Sequence, residues 1–172
     1  MKGLILLFIC SIFCFVACND DLPEPTQNGA NTFGCLINGE PWTPEVDGFN
    51  ETAIDALFYW DADGSASLSM TATRDLDNST KQFIKVNFRT DDFIVGEKYP
   101  IRPGMRNHNG LLAGDCRWIE VDTALYNEVS ITNLDQDKMI ISGTFRYTCR
   151  EDECPEEIME ITKGRFDVKY RQ

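Results

Sequence analysis

The chain has 172 residues, 28 acidic against 16 basic, and a formal net charge of −12. That balance excludes nucleic-acid binding, which needs clustered Lys and Arg, and weighs against an electrostatic grip on anionic lipid. The length and a hydrophobic content of 42% suit one domain that buries a real core.

Lys2 precedes an apolar run from Leu4 to Val16, which has the length and flanks of a signal-peptide core. A membrane span would need roughly 20 apolar residues. The run closes on Phe15-Val16-Ala17-Cys18, and Asn19-Asp20-Asp21 restores polarity at once. This stretch resembles a bacterial lipobox, with Phe15 where a smaller Leu is usual. The resemblance implies that residues 1–17 are removed as a lipoprotein signal peptide and that Cys18 receives lipid. Cys10 and Cys14 also lie in the run, but no polar break follows either. Several acyl chains hold a soluble domain stably on a bilayer, since each buried CH₂ contributes about 0.8 kcal/mol and one chain binds only marginally. The plainer reading is an ordinary secretory signal with an incidental Cys. Acidic residues directly after Cys18 resemble the surface-export signal of Bacteroidetes lipoproteins; the competing reading is the start of a solvated linker.

Residues 18–31 then read as the lipidated Cys and a flexible tether rich in Pro, Asn, Asp and Gln, with Leu22 its one branched apolar residue. Fully extended, it would reach about 45 Å. The folded domain is expected over residues 32–172, beginning with a strand at Thr32 to Ile37. Asn38-Gly39 is a turn dipeptide, and Pro41, Trp42 and Pro44 make a rigid return. Ala56 to Trp60 and Ala66 to Thr73 flank Asp61-Ala62-Asp63-Gly64, a hairpin signal, although Asn50 to Leu57 also permits a short helix. Leu68, Met70 and Ala72 alternate with polar residues, as do Ile84, Val86 and Phe88 within Phe83 to Arg89.

An extended piece from Val95 to Pro103 leads into a Gly- and Asn-rich loop to Gly110. Strands follow at Arg117 to Val121, Tyr126 to Thr132, Met139 to Thr148 and Ile158 to Tyr170, the last pair forming a hairpin around an acidic loop. Gly164 is expected to mark a bulge that resets the alternation, and Gly143 to leave room for an aromatic ring. No segment sustains a 3.6-residue apolar period. The fold class is all-β: a single antiparallel sandwich or barrel of about eight to ten strands. Gly39 and Trp42 resemble a lipocalin opening at imperfect spacing, so a lipocalin-like barrel stays among the options.

Four cysteines remain beyond Cys18: Cys35, Cys116, Cys149 and Cys154. In an exported chain they read as two disulfides with three available pairings. The short separation favours Cys149 with Cys154, leaving Cys35 for Cys116. Zinc is disfavoured, because no C-x₂-C pair exists and His108 is the only histidine.

Catalytic patterns are weak throughout. Asp61-Ala62-Asp63-Gly64-Ser65 opens like a calcium loop but lacks the distal Glu. Asp75, Asp77 and Asn78 would add oxygens only if both loops met at one end. His108 sits in loop composition, and no G-x-S-x-G is present. Trp42 reads as a core plug rather than a sugar platform. Phe58-Tyr59-Trp60 must put aromatics on both faces of a strand, so one face is core and the other is packing, interface or ligand platform.

Three pieces together resemble a family of uncharacterised Bacteroidetes lipoproteins: the lipobox with its polar tail, Thr32 to Trp42, and the closing pair Ile141 to Phe145 with Ile161 to Val168. The resemblance implies a compact β domain tethered by lipid, with no catalytic, cofactor or metal residues to transfer. The expectation is a non-catalytic envelope protein anchored to the outer membrane through Cys18 and facing outward. Its partner would be a glycan, a small ligand or a protein; the alternative is a structural component without a ligand.

Overall fold

A computed structural model describes residues 21–47, 52–77, 80–101, 109–122, 125–151, 154 and 156–172. The described residues contain no helix. In chain order the strands are β1 (Thr32–Ile37), β2 (Glu40–Trp42), β3 (Ile54–Trp60), β4 (Ala66–Asp75), β5 (Lys81–Thr90), β6 (Lys98–Pro100), β7 (Gly110–Ala113), β8 (Cys116–Trp118), β9 (Glu120–Val121), β10 (Glu128–Asp135), β11 (Ile140–Arg150) and β12 (Ile158–Lys169). The expected helix near Asn50 to Leu57 is replaced over its described part by the start of β3. Pairing with β4 decides this, since a seven-residue segment gains more from a full ladder than from a marginal isolated helix.

Seven strands form one sheet in the order β2-β1-β12-β11-β10-β6, with β9 pairing β11 beyond the end of β10. Five form the other, in the order β3-β4-β5-β7-β8. All strand pairs are antiparallel. The all-β expectation holds, and the two sheets make a sandwich. A closed barrel does not form: among the described residues, the one backbone bridge from β3 toward the other sheet joins Leu57 to Arg171, just beyond the end of β12. The lipocalin-like option falls with it.

The inward faces interlock as the period-two pattern requires. Leu68, Met70, Ile84 and Val86 of one sheet share a core with Ile131, Ile141, Ile161 and Phe166 of the other. Each such side chain contributes about 1.5–3 kcal/mol on full burial. Tyr147 ties the layers together: its hydroxyl lies 3.1 Å from the Lys85 carbonyl and 3.2 Å from the Gly110 carbonyl, across the sandwich. Gly110 opens β7, which composition hid because Gly-Leu-Leu-Ala lacks β-branched residues.

The β11–β12 register shifts between Phe145 and Tyr147, opposite Gly164. Met159 and Ile161 face inward before the shift, Phe166 and Val168 after it. The phase reset expected at Gly164 is therefore present, with Lys163 taking the left-handed φ of 48°. Gly143 also has the expected role: a Cβ there would stand 2.7 Å from Cζ of Phe166.

The segment read as a free tether is docked from Leu22 onward. Leu22 is buried, and a Cβ on Gly34 would stand 2.7 Å from Cδ of Pro23. The carboxylate of Asp167 collects the next turn. Thr26 Oγ1 donates at 2.6 Å and the amides of Asn28, Gly29 and Ala30 donate at 3.0, 2.9 and 3.1 Å. Ser142 Oγ completes the shell at 2.8 Å. Gly29 is needed here twice, for its φ of 76° and because a Cβ would stand 2.8 Å from Ile140 Cγ1.

Candidate functional site

β3 presents the aromatic triplet as alternation demands. Phe58 points into the core, whereas Trp60, two residues on and at the strand end, reaches the rim with 46% of its surface exposed. Tyr59 lies on the opposite face and is 38% exposed. Trp60 packs edge-on against Phe58 at 6.0 Å and against Phe93 at 5.7 Å. Phe93 in turn stacks with Phe88 and Tyr99. The ring cluster thus runs from the core to solvent.

The turn after β5 completes the rim. The Tyr99 hydroxyl donates to the Ile94 carbonyl at 2.9 Å and accepts from the Ile94 amide at 2.5 Å. Both polar groups of Ile94 are thereby satisfied, and Phe93 is held inward. Ile94 and Val95 are left 58% and 47% exposed. Trp60 packs against Phe93, and the two residues that follow Phe93 in the turn, Ile94 and Val95, add exposed apolar surface. Sequence reasoning singled out Trp60 but missed Ile94 and Val95; an apolar triplet after Asp91-Asp92 was the available signal.

The acidic loop beside the rim is a closed ion-pair network. Ser65 donates to Asp63 through its hydroxyl and amide, and Arg89 Nη2 pairs with Asp63 Oδ2 at 2.5 Å. The Ser65 hydroxyl and amide, with Arg89 behind them, hold the Asp63 carboxyl down to about 2. Asp61 accepts from Ser65 and Ser67. Arg89 supplies the positive charge that these carboxylates face. Asp75 and Asp77 lie at the other end of β4, whose ten residues span about 33 Å. Asp75 pairs with Lys81 at 3.2 Å, and Asp77 accepts the Thr80 amide. Asn78 and His108 lie outside the described residues. Among the described residues no three metal-capable side chains converge.

Trp42 is buried, with Nε1 donating to Gln82 and the Arg74 guanidinium over its ring at 5.1 Å. It is the core plug, and unavailable to a sugar. An open groove of about 710 Å³ runs along Thr52 to Ala56 beside Lys169 and Arg171, where Arg171 pairs with Asp55 at 2.6 Å.

The cysteines pair differently from the favoured assignment. Cys116 is bonded to Cys154, with Cα atoms 5.8 Å apart, while Cys35 and Cys149 are buried free thiols. Proximity in sequence misled, because Cys149 sits on an inward position of β11 and Cys154 in the loop beyond it. β8 belongs to the five-stranded sheet and the loop to the seven-stranded one, so this bond staples the layers. Trp118 Nε1, donating to the Glu156 carbonyl, reinforces it. Burial pushes the Cys35 and Cys149 thiols up to about 12, which leaves both inert as nucleophiles. Cys18 lies outside the described residues.

No protein-family model, curated protein or solved structure matches the chain.

Proposed function

We propose that this is a lipid-anchored protein of the outer membrane, similar to the Bacteroidetes lipoproteins, facing outward and acting by binding a protein partner rather than by catalysis. The anchor reading rests on Phe15-Val16-Ala17-Cys18 and the polar break after it. The binding reading is carried by one observation: Tyr99 clamps the Ile94 backbone, and Ile94 and Val95 stay exposed on the turn whose Phe93 ring packs edge-on against the exposed Trp60. Aliphatic side chains offer nothing to sugar hydroxyls, so an apolar protein surface fits this rim better than a glycan does. Trp is among the residue types that carry the most binding energy in protein interfaces.

Two experiments test the two halves. Cys18→Ala should move the protein from the membrane fraction to the soluble one; unchanged membrane retention sinks the anchor. A photo-crosslinker at Ile94 in intact cells should give a discrete adduct that disappears with Trp60→Ala. The same adduct from a probe at Thr71, on the far face of β4, would show that the rim has no special role. A structural component without a specific partner is the second reading, favoured by the filled sandwich core. It predicts no discrete adduct at either position.

A further inference from the structure

The Asp167 latch changes what the anchor does. Between Cys18 and Leu22 the chain holds only Asn19, Asp20 and Asp21. From Leu22 the chain is pinned: Leu22 and Pro23 lie over Gly34, and Thr26 to Ala30 wrap the Asp167 carboxylate. Gly34 separates the inward residues Phe33 and Cys35, so its own face is the outer face of the seven-stranded sheet. The strap runs on across that face beside Thr132, Thr144 and Arg165.

We infer that the strap, locked by Asp167, seats the domain close against the bilayer. The outer face of the seven-stranded sheet, or its β2–β1 edge, turns toward lipid, and the five-stranded sheet turns away. The inference rests on the lipid-anchor reading above. Four residue steps from Cys18 to Leu22 reach about 14 Å at most. The two outer faces of a sandwich lie on the order of 20 Å apart, counting about 10 Å between the sheets and the side chains outside them. A chain leaving the outer face of one sheet therefore cannot pass round to let the other rest on the membrane. A free tether would impose no such orientation.

Full-length lipidated protein in vesicles carrying a headgroup quencher is the test. Fluorophores go on Glu160→Cys, an exposed outward position of β12, or on Thr71→Cys, an outward position of β4. Amide exchange of the same full-length protein in detergent is followed in parallel. The expected result is quenching at 160 and background quenching at 71, with the amides of Asn28, Gly29 and Ala30 protected. Asp167→Ala should raise exchange at those three amides by about tenfold or more, the loss of roughly one charge-assisted hydrogen bond, and should erase the difference between the sites. Because Asp167→Ala removes a buried group, a second variant inserts a Gly/Ser linker between Asp21 and Leu22. It should keep the three amides protected and still erase the difference. Equal quenching at both sites in the unmodified strap overturns the orientation, and unprotected amides overturn the latch. Protein that washes off the vesicles overturns the anchor itself, while the amide data still judge the latch.

Discussion

Thr26 Oγ1 donates to Asp167 Oδ2 at 2.6 Å, joining the entry of the chain to its last strand across 141 positions of sequence. Four further donors converge on the same carboxylate, from Asn28, Gly29, Ala30 and Ser142. Burial by itself raises the Asp167 carboxyl, but the Thr26, Ala30, Ser142 and Gly29 donors outweigh it and hold it down to about 2.

A pH dependence follows from that shift. The folded value lies below the ordinary unfolded value of about 3.9, so ionised Asp167 stabilises the fold above pH ~4. The contribution, about 2 kcal/mol, is lost as pH falls from there through about 2. Urea unfolding of the native protein and of Asp167→Asn between pH 7 and pH 2 checks this. The gap between the two should be largest at neutral pH and close in acid; a constant gap would contradict the assignment.

Gly143 and Gly164 should tolerate no side chain. A Cβ on Gly164 would stand 2.6 Å from both the ring and the carbonyl of Phe145, and one on Gly143 would meet Phe166 and the Ser130 carbonyl. Backbone carbonyls cannot step aside as a side-chain tip can. Gly164→Ala and Gly143→Ala should each cost about 1–3 kcal/mol in denaturant unfolding, where an ordinary exposed strand Gly→Ala is neutral or better.

Disulfide mapping should find Cys116 joined to Cys154. Cys35 and Cys149 should react with a thiol reagent only after unfolding. The bond spans 38 positions, and its removal by Cys116→Ser with Cys154→Ser should cost about 3–4 kcal/mol. A peptide linking Cys149 to Cys154 would refute the pairing.

Tyr147→Phe isolates the link between layers. It removes the hydroxyl that meets the Lys85 and Gly110 carbonyls while leaving the buried ring. The expected loss is about 1 kcal/mol, read as a lower denaturation midpoint at unchanged denaturant slope.

Much of the architecture was legible in the chain. Leu68-Met70-Ala72 and Ile84-Val86-Phe88 fix which side of a strand is buried through a period of two, and Asn38-Gly39 or Asp63-Gly64 can hardly be anything but turns. These signals are local, so neighbouring residues suffice to read them. The placement of Trp42 in the core and the bulge before Gly164 were legible for the same reason.

Other features depend on partners far apart in sequence, and only the tertiary structure decided them. Whether the sheets close into a barrel turns on how β3 meets β12, some hundred positions away. Cys116 finds Cys154 rather than Cys35 because two layers stack there. Nothing near Thr26 announces that its hydroxyl has a carboxylate waiting in β12, so a polar, proline-bearing segment reads as a tether. Alternation says that Trp60 shares a side with Phe58, but exposure at the rim depends on where β3 ends relative to the opposite layer. Local sequence specifies which face of a strand is apolar; what that face meets is set by the long-range packing that completes the core.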